Sequence, residues 1–195
     1  MKNIKFDYTF AKHLYSKFKD IEFENKQHVY INHKYNKELI SVTQSLKLFE
    51  PEFDVEYWSN KKAKERGIDV KDILKEWDEK KQNGLDRGNV YHDYIEQRHN
   101  RTKPDIILSE VESYFKSHDD IPLLSEFVIG NENIGGKLDH IAIRKNYLVL
   151  KDWKTNYKFV KESPYKLTNG LDHLPNTEFY KYALQLSLYK YILDL

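Results

Sequence analysis

Lys137-Leu-Asp-His-Ile-Ala-Ile-Arg-Lys-Asn-Tyr-Leu-Val-Leu-Lys-Asp-Trp-Lys154 is the stretch on which the reading of this chain turns. Two short runs rich in Ile, Val and Leu, 137–143 and 147–153, read as strands. If Lys145 and Asn146 form a two-residue hairpin loop, Arg144 pairs with Tyr147. The same register brings Asp139 opposite Asp152, with Cβ atoms about 4.5–5.5 Å apart. Side chains alternate along a strand, so Ile141, Ile143, Leu148, Leu150 and Lys154 share the face of the two aspartates. Two carboxylates ending an apolar face repel each other, and desolvation adds to the cost. A divalent cation such as Mg²⁺ or Mn²⁺, which prefers oxygen ligands, removes the conflict, and Lys154 can hold or polarise a metal-bound water. The plainer alternative is a sheet-end salt bridge to Lys154, or a register slipped by a residue or two.

Working outward, 123–129 is a third strand, and 178–193 is a long helix with apolar residues on most faces. Towards the N-terminus, Phe10, Leu14 and Phe18 recur at helical spacing. Two β-like runs, 28–31 and 38–43, flank a mostly polar link. Pro51 breaks the chain, and a helix over 57–65 ends at Gly67. Asp69 caps another, with Val70, Ile73, Leu74 and Trp77 on one stripe, and Gly84 is expected to end it. Further helices are expected over 89–98 and 105–116, the latter with Ile107, Val111, Tyr114 and Phe115 on one side. Helices, three strands and a helix make an α/β or α+β sandwich on one sheet. One unit over 1–195 is expected, with 1–85 mainly helical and 86–195 carrying the chemistry.

Composition narrows the chemistry. The 195 residues are 32% charged and 39% hydrophobic, and 15 Tyr, 10 Phe and 3 Trp argue against disorder. The absence of cysteine excludes disulfides, thiolate zinc sites, iron–sulfur clusters and cysteine nucleophiles. No apolar run reaches the roughly 18–20 residues of a membrane span, so a soluble, cytoplasmic protein is expected. A net charge of +1 removes a globally basic surface, leaving a local strip. Between Arg144 and Lys166 that strip holds Lys145, Lys151, Lys154, Lys158 and Lys161, against Asp152 and Glu162. Taken alone it reads as a solvated lysine-rich face.

Two further pairs stand at i, i+4 and so share a helix face: His92 with Glu96, and Gln185 with Tyr189. Imidazole and carboxylate together suit a Mg²⁺/Mn²⁺ or transition-metal site, though such pairs are commonly surface contacts. A glutamine among apolar neighbours needs partners.

Gly88-Asn-Val-Tyr-His-Asp-Tyr-Ile-Glu96, Gly136-Lys-Leu-Asp139, Leu150-Lys-Asp-Trp-Lys-Thr155 and Gln185-Leu-Ser-Leu-Tyr189 together resemble the ordered motifs of the RecB-like branch of the PD-(D/E)XK nucleases. The Asp-Trp-Lys-Thr wording is most similar to phage-type and mitochondrial genome maintenance exonucleases, and Ser41-Val-Thr43 resembles a segment seen upstream in that group. The resemblance spans 88–189. It implies a restriction-endonuclease-like core, a central mixed sheet flanked by helices. It implies metal ligands at His92, Asp139 and Asp152 and the Trp153 backbone carbonyl, with Mg²⁺ or Mn²⁺ as cofactor. Lys154 would position the attacking water, and Glu96 would reach the metal or its water shell. Gln185 and Tyr189 would orient the site or touch the substrate backbone, and Glu126 would be a helper. Thr155, Lys158, Lys161 and Tyr189 would contact DNA.

The implied activity is hydrolysis of DNA phosphodiester bonds, exonucleolytic and favouring single strands or free ends. A structure-specific or restriction-type endonuclease, a non-catalytic nucleic-acid-binding module and an interaction domain are the alternatives. Two features depart from the family pattern. The sequence stops after the long helix, where a further strand is usual, so either the form is shortened or the N-terminal strands complete the sheet. The iron–sulfur cysteines of some members are absent.

Overall fold

In the computed structural model, which describes residues 8–104, 106–156 and 158–194, Arg144 lies opposite Tyr147 and His140 opposite Lys151. Lys145 and Asn146 both take positive φ, 47° and 67°, as a two-residue hairpin turn of type I′ demands. These strands are β5 (Ile134–Arg144) and β6 (Tyr147–Lys151). The second is shorter than expected and excludes Asp152 and Trp153. The Trp153 amide leaves the ladder because it donates to Asp139 Oδ2 at 2.6 Å.

Strand β4 (Ile121–Gly130) pairs antiparallel along one edge of β5. The N-terminal strands β1 (Ile21–Glu24), β2 (Val29–Asn32) and β3 (Lys37–Ser41) form a meander. It joins the sheet through a parallel pairing of β3 with β5, Ile40 to Ile134 and Ser41 to Gly135. The result is an α/β protein with a mixed six-stranded sheet. Because β4 occupies one edge of β5, β3 and β6 share the other. β3 takes positions 134–135 and β6 takes 140–144. Residues 136–139 have no ladder partner in that gap among the described residues. Asp139 sits in this notch.

Among the described residues six helices complete the fold: α1 (Tyr8–Lys17), α2 (Val42–Lys47), α3 (Val55–Arg66), α4 (Val70–His99), α5 (Ser109–Ser117) and α6 (Glu178–Leu193). Strand alternation divides the core. Ile141 packs with Leu14, Val42, Ile192 and Leu193 from α1, α2 and α6, and with Phe18 just past α1. His140 points the other way, against His99, Phe115 and Trp153. Tyr94, Ile95 and Val111 fill that side from α4 and α5. No helix among the described residues is long and apolar enough to cross a membrane.

Several expected boundaries move. The run 38–43 ends at Ser41, which leaves the strand to cap α2 in a capping box with Gln44. Gly84 does not end a helix. Neither it nor Gly88 takes positive φ, and one 30-residue helix runs through both, absorbing the expected helix over 89–98 and the division at 85/86. The next helix begins at Ser109, later than expected, because Leu108 is extended (φ −89°, ψ 99°). Ile107 therefore lies outside it and is exposed. Asp105, where that helix was expected to start, lies outside the described residues.

Candidate metal centre

Three elements bring their side chains to the notch in β5: His92 from α4, Glu126 from β4 and Asp139 from β5. One donor atom from each lies within 4.8 Å of the others. His92 Nδ1 is 3.3 Å from Glu126 Oε1, and its Nε2 is 3.7 Å from Asp139 Oδ2. Glu126 lies between the pairs Ser125–His140 and Phe127–Leu138, opposite Asp139. Its φ of 48° is left-handed, a conformation that costs a non-glycine residue about 1–3 kcal/mol and occurs most often at functional sites. Lys137 Nζ holds the outer oxygen of Glu126 at 2.5 Å.

Asp152 follows β6 and stands outside this triplet. Lys154 Nζ pairs with its Oδ2 at 2.6 Å, and Gln185 Nε2 donates to its Oδ1 at 3.0 Å. The Gln185 amide also donates to the Tyr189 hydroxyl at 3.1 Å, which in turn donates to the Lys137 carbonyl at 3.1 Å. The unpaired carbonyl at the notch is thus capped from α6, and the same helix fixes Asp152. Gly136 makes room for the brace, since a Cβ there would sit 2.5 Å from Tyr189 Cε1.

The electrostatics follow from burial. Desolvation, then the neighbouring Asp152 charge, hold the Asp139 carboxyl well above the ordinary aspartate value. Burial alone would raise Glu126 too, but hydrogen bonds from His92 and Lys137 outweigh it and keep that carboxyl low. The Glu126 hydrogen bond raises the His92 imidazole, against the pull of desolvation. The site is therefore over-supplied with negative charge at Asp139.

No protein-family profile, curated protein or solved structure matches the chain. A ring nitrogen and two carboxylates converge in partial burial, a set that suits Mn²⁺ or Mg²⁺. A cation here would relieve the Asp139–Asp152 conflict, so the donors present fit a divalent ion.

Each expected site residue can now be placed. His92 and Asp139 meet, and Glu126, expected as a helper, completes their triplet. The expected register holds as far as His140 opposite Lys151; Asp152 is the next residue, just past the end of β6, and its charge acts on Asp139. Trp153 adjoins the site, its N–H donating to Asp139 Oδ2 at 2.6 Å. Glu96 is half-buried one turn beyond His92 and stands outside the triplet. Lys154 adjoins the site. Gln185 and Tyr189 are buried, so Tyr189 braces the site from behind and does not present a surface to DNA. Thr155 lines a cleft beside the site, while Lys158 and Lys161 are exposed. The signal for Glu126 was the single charged residue inside the run Leu123–Ile129.

Proposed function

We propose that this chain is a divalent-metal-dependent nuclease with a PD-(D/E)XK core of the RecB-like kind, hydrolysing DNA phosphodiester bonds with preference for single strands or free ends. The observation that carries the reading is the convergence of His92, Glu126 and Asp139 at the notch in β5, with the Asp152–Lys154 ion pair beside it. A bound Mg²⁺ or Mn²⁺ would activate water and neutralise charge on the phosphate. His92, Glu126 and Asp139 would hold it. Lys154 is positioned to orient the attacking water and stabilise developing negative charge, a role that needs a fixed ammonium. Asp152 fixes that ammonium, and Gln185 fixes Asp152.

The test is digestion of end-labelled linear and circular single-stranded oligonucleotides with Mg²⁺, Mn²⁺ or EDTA. Metal-dependent cleavage of the linear form is expected, lost in Asp139→Ala and Lys154→Ala. Cleavage unchanged in EDTA would overturn the mechanism. Equal cutting of the circular form would replace exonuclease by endonuclease.

A further inference from the structure

Nine consecutive residues of α4, from Asp78 to Asp86, are exposed, so about two and a half turns of helix have no buried side. The helix is anchored only beyond them, by buried Ile73 at one end and by Tyr94 and Ile95 at the other. A helical stretch that is polar at every position but Gly84 and the exposed Leu85, and unsupported, spans solvent. At about 100° per residue, Trp77, Gly84, Gly88 and His92 fall on the side shared by Ile73 and Ile95, which faces inward. Beneath this bridge lies a cleft of about 670 Å³, lined by Lys80, Asn83, Gly84 and Arg87 with Thr155 and Asn156. None of those six residues is acidic. Thr155 follows Lys154 in the chain, and Arg87 precedes His92 by five residues on the same helix, so two of the cleft's lining elements run on to the site residues.

At the far end of the bridge stands a group of aromatic rings. Phe53 lies 5.9 Å from Trp77 and 6.5 Å from Trp58, and its plane is 6° from that of Trp58. Tyr57 and Tyr165 both meet Trp58 edge-on, Tyr165 at 6.3 Å. Phe53, Tyr57 and Tyr165 are nevertheless 59%, 53% and 56% exposed. A contiguous exposed aromatic patch marks a surface that meets a partner. The chain segment from Thr155 to Tyr165 joins the cleft to this patch and carries exposed Lys158 and Lys161.

We infer that Phe53, Tyr57 and Tyr165, backed by Trp58 and Trp77, form a base-stacking platform for unpaired nucleotides of the strand being cut. The inference rests on the nuclease reading above. Phosphates lie along the Lys80–Arg87 cleft, and bases beyond it stack on the rings. The charges divide the labour. Around the aromatic group they are mixed, Asp54 and Glu56 against Lys61 and Lys64, so the hold there comes from ring faces and not from phosphate contacts. Trp77 precedes His92 by fifteen residues, about 22 Å along the helix. That distance is about six nucleotides at the roughly 3.4 Å per-strand spacing of stacked bases. Gly84 and Gly88 suit the passage, because their missing Cβ atoms would meet nothing within 4 Å in the protein itself.

The experiment is fluorescence anisotropy of end-labelled oligothymidylates from four to sixteen nucleotides in EDTA, with cleavage by Mn²⁺-loaded enzyme measured in parallel. Wild-type affinity should climb steeply until about seven nucleotides. Phe53→Leu with Tyr165→Leu keeps apolar bulk but removes the rings. It should bind a twelve-mer roughly ten- to hundred-fold more weakly, the scale of one or two lost stacks, and a four-mer as well as wild type. Its salt dependence should stay unchanged, whereas Lys80→Ala should flatten the salt slope by about 0.7. A wild type that cleaves while the folded ring variant binds the twelve-mer equally well overturns the platform and leaves the nuclease reading standing. A wild type that neither binds nor cleaves overturns both.

Discussion

Replacing Gly84 and Gly88 by alanine should make the metal-free protein more stable. Both lie inside α4 in ordinary helical conformation, and a Cβ at either position meets nothing within 4 Å. Alanine therefore gains its helix propensity with no steric penalty, about 1 kcal/mol at each site. The two positions share no partner, so the gains should add to about 2 kcal/mol. For a domain of this size that corresponds to a rise of about 4–8 °C in the melting temperature. Urea unfolding followed by far-ultraviolet circular dichroism measures it directly, as a higher midpoint at unchanged slope. The sign is diagnostic. Had Gly84 ended a helix in the left-handed conformation, alanine there would destabilise instead. An unchanged or lowered midpoint would refute the continuous, unsupported helix and with it the bridge over the cleft.

Asp139→Asn should change stability in a pH-dependent way without metal. Burial and the Asp152 charge raise this carboxyl in the folded state, so its stabilising proton is fully in place below the unfolded aspartate value of about 3.9. That contribution is lost as pH rises through the elevated folded value. The melting-temperature advantage of the asparagine variant over wild type should therefore grow from pH 4 upward, and a constant difference from pH 4 to 8 would contradict the assignment. Gly136→Ala should destabilise by about 1–3 kcal/mol, because its methyl displaces the Tyr189 ring, and thermal melting reads the loss. Asp120→Ala should cost about 3 kcal/mol in urea titration. Its shielded carboxylate pairs with both Arg144 and Lys151, and removing it strands the buried Lys151 ammonium.

The hairpin register was legible because period-two alternation and a Lys145-Asn146 turn leave little choice of pairing. The end of that strand at Lys151 was not legible, for a reason no alternation pattern encodes: the Asp139 side chain accepts the Trp153 amide just beyond it. His92 and Asp139 were legible as residue types in spaced motifs. The rank of Glu126 was not, since its place opposite Asp139 depends on the β4–β5 pairing and on a left-handed φ. Gly84 illustrates the same limit for helices. A glycine stops a helix when the chain turns left-handed there, and packing at Ile73 and Ile95 decides that it does not. The short α2 packs against β5 and α6, far along the sequence, and propensity alone does not announce it.

Synthesis runs from the N-terminus, so the order in which the site's parts leave the ribosome matters. His92, Glu126 and Asp139 emerge well before α6, which delivers Gln185 and Tyr189 to the notch. At about 5–20 residues per second, the interval between Asp139 and Tyr189 is a matter of seconds. During that time Asp152 lacks its amide partner and the Lys137 carbonyl its cap. A nascent chain stalled at Thr177 should hold the triplet without its brace. Competence then arrives with the docking of α6, which makes the last helix a timer for the site as well as a wall of the core.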